Sequence, residues 1–305
     1  MIPLYDVRVI HIEITNACNL ECANCTRFVG HHKKPFMMDL DTVRLAISSL
    51  EGFPGGIGMM GGEPTIHPQF REICAAFREM IPDKNKRQFW TNGFKWKEYE
   101  EDIYETFYAT HIHYNDHTHE DGVHQPLLIA AKDVVKDSEL MWGLIDNCWV
   151  QTRWSGAITP KGGFFCEVAA AQDYLFDGPG GYPLEKGWWN KTPAQFQDQV
   201  KRYCENCSAA IPMPRPSHHA RNDLVSRSVY EKLQAHDSPR FKRGNIELFE
   251  SSFSKEEIER CKEGWTPWSH RPFKQLTPEV LDTSSALVTI KPKKRPASAE
   301  NSAPL

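Results

Sequence analysis

The chain has 305 residues and a mass of 35.0 kDa; 40% of its residues are hydrophobic, with 16 Phe and 9 Trp, enough for a packed core and against wholesale disorder. Its 36 basic and 40 acidic side chains leave a formal net charge of −4, which argues against a globally basic nucleic-acid binder. No apolar run reaches the about 18–20 residues of a membrane span, and the opening MIPLYDVRVIHIEIT has no secretory-signal pattern, so a cytoplasmic chain with no membrane partner is expected.

Residues 7–14 (VRVIHIEI) read as a strand, β-branched and partly alternating. Residues 39–50 form an amphipathic helix with Leu40, Val43, Ala46, Ile47 and Leu50 on one face and Asp39 or Asp41 as cap. A short strand at 56–60 (GIGMM) runs into Gly61-Gly62-Glu63-Pro64. A helix over 68–81 groups Phe70, Ile73, Cys74, Phe77 and Met80, and a third strand at 87–91 ends in Asn92-Gly93. A helix over 96–106, a strand at about 108–114 and a helix over 125–136 follow. Strands alternating with helices predict an α/β fold with a parallel sheet or partial barrel, where ligands gather at the carboxyl ends of the strands. The unusual residues fall there: the Cys18 to Cys25 loop, the Gly-Gly-Glu-Pro, Thr91-Asn92-Gly93 and Asn115-Asp116. From 143 to 210 the chain is rich in Gly, Trp and Cys, with a helical period only over about 192–203. Residues 211–280 are irregular apart from a helix over 254–263, and 281–305 read as a disordered tail. The expected units are 1–142, 143–210, 211–280 and 281–305.

Nine cysteines, an odd number without a secretory signal, suit metal binding or catalysis in a reducing compartment better than disulfides. Cys18, Cys22 and Cys25 form a Cys-x3-Cys-x2-Cys run, and three soft thiolates on one loop can hold three irons of a 4Fe–4S cube with one iron left open. A zinc knuckle completed by His31 or His32 is the alternative.

The run EITNACNLECANC from Glu13 to Cys25, with GGEP at 61–64 and WTNG at 90–93, resembles the radical S-adenosylmethionine (SAM) superfamily over about residues 7–135. That resemblance implies a partial (β/α) TIM-like barrel in which Cys18, Cys22 and Cys25 hold a 4Fe–4S cluster and SAM chelates its fourth iron. It assigns Gly61, Gly62 and Glu63 to the methionine amino group, Pro64 to the turn, and Thr91 and Asn92 to the ribose. The chemistry is apt, since carbonyls and a carboxylate accept from an ammonium and glycines allow close approach. One departure is Asn24, where the family often has an aromatic residue near the adenine.

A second group comprises Cys148, Cys166 after a Pro-x-Gly strand, and the pair Cys204-x2-Cys207. By itself it suits a four-cysteine zinc site. Behind a radical SAM core it resembles the twitch extension, a short form of the SPASM domain, in a pattern similar to the butirosin aminocyclitol dehydrogenase type. That implies an auxiliary 4Fe–4S cluster with no open iron, suited to passing electrons.

Cys74 and Cys261 read as small packing residues, and the Trp188-Trp189 pair and Trp265/Trp268 as packing aromatics. His111, His113, His117, His119 and His124 could supply acid–base groups, substrate contacts or a metal site. Tyr114, Asn115 and Asp116 are the catalytic candidates at the pocket. The Lys291-Pro-Lys-Lys-Arg-Pro run is a solvated basic tail, with nucleic-acid contact as the minority reading. The expected activity is radical SAM chemistry, as an oxidoreductase on a sugar, aminocyclitol or peptide-like small molecule. The alternative is an isomerase acting on a modified nucleoside or DNA base. An external electron donor such as flavodoxin or ferredoxin is the expected partner. A non-enzymatic iron–sulfur carrier or zinc module is the rival class.

Overall fold

The computed structural model describes residues 1–115, 117, 122–153, 156–265 and 274–275. Its frame is an open α/β sheet. Strands β1 (Val9–Thr15), β2 (Gly56–Gly61), β3 (Arg87–Thr91) and β4 (Ile112–Tyr114) lie side by side and parallel, and β5 (Gly156–Thr159) pairs parallel to β1 on its other side. β6 (Gly162–Phe164) returns antiparallel beyond β5. β7 (Asp223–Val225) and β8 (Ile246–Leu248) form a separate parallel pair. β9 (Lys274–Gln275) lies antiparallel along β4. The order β6-β5-β1-β2-β3-β4-β9 leaves the sheet unclosed, a partial rather than a complete barrel.

Helices α1 (Leu40–Ser49), α2 (Phe70–Met80) and α3 (Trp96–Thr106) link the first four strands and pack side by side. The Asp39 carboxylate caps α1 by accepting from the Thr42 amide at 2.9 Å, as its place before the apolar period predicts. Period-two alternation explains the two faces of the sheet. Ile10, Ile12 and Ile14 of β1, Ile57 and Met59 of β2, and Phe89 of β3 join one large apolar core. The intervening His11, Met60 and Trp90 line a cavity. Gly58 makes room on that face: a Cβ there would meet His11 and Trp90 ring atoms at 2.7 Å.

Several expectations change. The helix expected over 125–136 shrinks to α4 (Ala131–Val134), because Pro126 lacks a donor and 127–130 run as a buried loop whose Ala130 amide is satisfied by the Ser226 hydroxyl. α5 (Ser138–Asp146) follows, capped by Asp137, then α6 (Val150–Arg153). The expected strand at 108–114 is extended only over β4, with a 3-10 turn at Ala109–His111 before it. The stretch 143–210 holds an unforeseen helix, α7 (Glu167–Leu175); eight of its nine residues are buried, so no amphipathic period marks it. α8 (Gln197–Tyr203) continues from a 3-10 turn, as the period over 192–203 suggests. Within 211–280 the structure adds α9 (Arg227–Ala235) and α10 (Pro239–Lys242); α11 (Lys255–Lys262) carries the capping box of Ser254 and Glu257. The sheet crosses the boundary expected at 142, since β5 and β6 extend it past β1. Among the described residues no helix is long and apolar enough to cross a membrane. The 281–305 tail, Trp268, His119 and Asp116 lie outside the described residues.

Candidate functional site

A cavity open to solvent sits at the carboxyl ends of β1, β2 and β3. Cys18, Cys22 and Cys25 line it, together with Gly61, Gly62, Thr91, Asn92 and Asn115. The described residues predicted for this site therefore converge, with three exceptions, one of them Pro64, which is buried in the turn after β2. Tyr114 packs into the apolar core instead, and Glu63 lies beneath the cavity wall, fully buried.

Glu63 acts as a brace in this structure. Its carboxylate accepts from the Thr65 amide (3.1 Å) and hydroxyl (2.7 Å), the Thr91 hydroxyl (2.8 Å) and the Asn92 amide (2.7 Å), tying the end of β2 to the end of β3. Burial raises its carboxyl above the usual range, while those donors pull the other way. The glycines before it are needed where backbones cross: a Cβ on Gly62 would overlap the Ala17 carbonyl oxygen. The Gly62 and Glu63 amides donate to the Thr15 and Ala17 carbonyls at 2.8 Å, stitching this turn to the cysteine loop. Asn92 reaches the loop as well, with Nδ2 3.0 Å from Asn19 Oδ1 and 3.6 Å from Cys18 Sγ.

Support for the cysteine loop comes from the far end of the chain. The buried Asp223 carboxylate accepts from the Asn24 amide (2.5 Å) and faces His31 Nε2 (2.7 Å) and Arg240 Nε (2.8 Å). Asn24 has φ 52°, a left-handed conformation that asparagine tolerates, and its Oδ1 accepts from the Leu224 amide at 3.0 Å. Its departure from an aromatic residue thus has a structural job. His31 is spent on Asp223, and His32 Nε2 lies 3.0 Å from the Arg27 carbonyl oxygen. In this structure both imidazoles thus make contacts away from the three cysteines.

Under the cavity lies a buried ionic chain that sequence reading missed. Arg27 Nη2 donates to Glu167 Oε2 at 2.6 Å, its Nε lies 3.1 Å from Glu13 Oε1, and His11 Nδ1 is 3.1 Å from Glu167 Oε2. Burial pushes the Glu13 carboxyl up to about 7, the charge of Arg27 offsetting only part of it. Burial also opposes ionisation of Glu167, but the Arg27 charge and the bonds from His11 and Arg27 win and bring it down to about 2. The difference follows from geometry, since Glu167 takes two aligned donors and the Glu13–Arg27 contact is not aligned as a hydrogen bond. Burial lowers the pKa of His11, and that of His113 to about 4; these rings flank Trp90 at 4.4 and 4.2 Å between centroids.

Cys148, Cys166, Cys204 and Cys207 line a second, smaller and mostly apolar cavity with Phe165, Val168 and Ala169. Burial raises all four thiols, Cys148 to about 11 and Cys207 to about 12. Cys18 and Cys25 are raised by burial too. A metal occupying either set would displace those protons. In neither set do three sulfurs lie within 4.8 Å of one another. A single tetrahedral zinc with Zn–S of about 2.3 Å wants sulfurs about 3.8 Å apart.

No protein-family model and no curated protein matches the chain. Among solved structures, it is similar to BtrN in complex with AdoMet and 2-DOIA, at 17% identity and a TM-score of 0.43, over 66% of this chain and 88% of that one. It is also similar to BtrN in an open conformation, at 16% identity and a TM-score of 0.40, over 66% of this chain and 86% of that one.

Proposed function

We propose that the chain is a radical SAM enzyme with two iron–sulfur clusters. The observation that carries this reading is the convergence of Cys18, Cys22 and Cys25 with the Gly61-Gly62 turn and Asn92 on one cavity at the strand ends. Three thiols on one loop leave a cluster one open iron, and the Gly61-Gly62 turn, packed on the Thr15 and Ala17 carbonyls, forms the cavity wall beside them. When bound, the cluster and SAM would supply a 5′-deoxyadenosyl radical that takes a hydrogen atom from the substrate. The chain's own part is to orient and to exclude water. Met60, Trp90 and Leu127 give the cavity dry walls, while Arg27, Glu167 and His11 present a fixed polar floor for the oxygen and nitrogen groups of a substrate. That floor supports a sugar, aminocyclitol or peptide-like substrate.

The four-thiol set fits an auxiliary 4Fe–4S cluster, because its donors are all sulfur and are spread wider than one zinc ion requires. An external donor such as flavodoxin or ferredoxin would supply the electrons. The test is iron and sulfide per chain after anaerobic reconstitution, with 5′-deoxyadenosine formation from SAM read on the same sample. About eight irons, falling to about four in a Cys18/Cys22/Cys25→Ala variant that makes no 5′-deoxyadenosine, is the expected result. No iron in the parent, or 5′-deoxyadenosine from the variant, would overturn it. A product lighter by two hydrogens marks oxidation, and one of unchanged mass marks the isomerase alternative.

A further inference from the structure

We propose that His117, His124 and His218 form an additional site for one divalent cation of the zinc class, in the wall of the cavity beside the cysteine loop. Among the described residues this is the one group of three or more His, Cys, Asp or Glu whose ligand atoms all lie within 4.8 Å of one another. A tetrahedral zinc with Zn–N of about 2.0–2.1 Å wants nitrogens about 3.3 Å apart, so ring rotations of about 1 Å complete the site.

The backbone holds two of these histidines in register. The His124 amide donates to the Pro216 carbonyl at 3.0 Å and the His218 amide to the Gly122 carbonyl at 2.9 Å, flanking an antiparallel bridge between Val123 and Ser217. Gly122 gives the His218 ring its place: a Cβ there would overlap Cε1 and Nδ1. Both histidines are also fastened to the cysteine loop. The Ala23 amide donates to the His218 carbonyl at 2.9 Å, and His124 Nδ1 lies 2.8 Å from the Ala23 carbonyl oxygen. The second contact makes Nδ1 the protonated nitrogen and leaves Nε2 with its lone pair, the outer-shell arrangement that orients metal-binding imidazoles.

Donor chemistry sets the ion class. Three imidazoles, with no carboxylate in the group among the described residues, favour zinc, nickel, copper or ferrous iron over magnesium or calcium. All three rings line the cavity, so a fourth position opens towards its interior, for water or an anionic oxygen of the substrate. Cys22 Sγ lies 3.4 Å from His117 Nδ1, which sets this site directly beside the three-cysteine set. The inference stands apart from the radical SAM reading, because it needs only the imidazoles.

The test is dialysis of the iron-loaded protein against micromolar zinc, with zinc and iron counted on the same sample and the zinc K-edge X-ray absorption recorded. About one zinc per chain with a nitrogen and oxygen shell is expected. Its affinity should fall at least about tenfold in a His124→Ala/His218→Ala variant that keeps its iron. Absence of zinc from the parent, sulfur in the zinc shell, or unchanged zinc in the variant would overturn the proposal. So would iron lost together with zinc in the variant, which would make these histidines part of the cluster's support. The absorption spectrum of the parent decides the ligands even if the variant does not fold. Failure of the radical SAM reading would show separately, as absent iron beside a nitrogen-ligated zinc.

Discussion

Replacing Arg27 by methionine tests the buried ionic chain most directly. Methionine keeps the apolar stem and removes a guanidinium that is 3% exposed and placed between Glu13 and Glu167. Both carboxylates are themselves 2% exposed, so water cannot take over. Removing one partner of a buried pair costs about 3–5 kcal/mol, because the remaining charge stays uncompensated. At about 2 °C per kcal/mol for a chain of this size, the unfolding midpoint should fall by about 6–10 °C. The control is Arg44→Met, which breaks an ion pair to Glu79 of similar length, 2.7 Å, between side chains 39% and 62% exposed. That change should leave the unfolding midpoint close to the parent's, because solvent screens an exposed pair. Urea unfolding followed by circular dichroism gives both values. Adding Glu167→Gln to Arg27→Met should restore part of the loss by removing a stranded charge. An Arg27→Met cost equal to the control, or a double variant showing the plain sum of two losses, would refute the reasoning.

Other outcomes follow from the same contacts. Glu13 has its carboxyl raised from about 4.5 to about 7, so the folded state holds the extra proton between those values and stability declines as pH rises through that window. Glu13→Gln should flatten this slope; urea unfolding between about pH 5 and about pH 8 reads it, and parallel curves for parent and variant would contradict it. On the proposed two-cluster reading, Gly62→Ala, which forces a Cβ against the Ala17 carbonyl, should lower the iron retained by the cysteine loop and leave that of the four-cysteine set. Iron analysis of that variant on a Cys148/Cys166/Cys204/Cys207→Ala background isolates the effect. Asp223→Ala strands the buried Arg240 and releases Asn24 and His31, so about 3–5 kcal/mol of stability should be lost. On the proposed two-cluster reading, iron should also leave this variant faster under a chelator than it leaves the parent.

The first 106 residues were largely legible because each element there carries its own local signal. Asp39 precedes an apolar period, β2 runs into a glycine turn, and β3 and α3 fall on the predicted spans. Both cysteine groups were legible from spacing, and each converges on its own cavity. What escaped is long-range or buried. α7 is enclosed nearly all round, so its sequence shows no polar face. The Arg27–Glu167 bond joins residues 140 positions apart, and His31 meets Asp223 at a separation of 192. His218 sits in an irregular proline-rich run, where nothing local distinguishes a cavity-lining histidine from an exposed one. Val229 and Leu233 did offer an i, i+4 apolar pair for α9, a signal present but short.

The ionic chain also determines how the two cysteine groups sit relative to each other. Arg27 stands two residues after Cys25, and Glu167 is the neighbour of Cys166. Their 2.6 Å hydrogen bond therefore fastens the loop that follows β1 to the amino end of α7 through a path of three residue steps and one contact. The first cysteine group faces the large cavity and the second faces the small one, with Val168 lining both. Neither group can shift by much without separating a guanidinium from a carboxylate in surroundings that exclude water, a move resisted by several kcal/mol. A loop at a strand end is ordinarily among the more mobile parts of an α/β fold. Here it is held from three sides: by the Gly62 and Glu63 amides, by the Asp223 carboxylate, and by Glu167 through Arg27. On the proposed two-cluster reading, that third anchor fixes the separation of the centres. Arg27→Met should then change the behaviour of both cysteine groups together, whereas Asp223→Ala should affect the first alone.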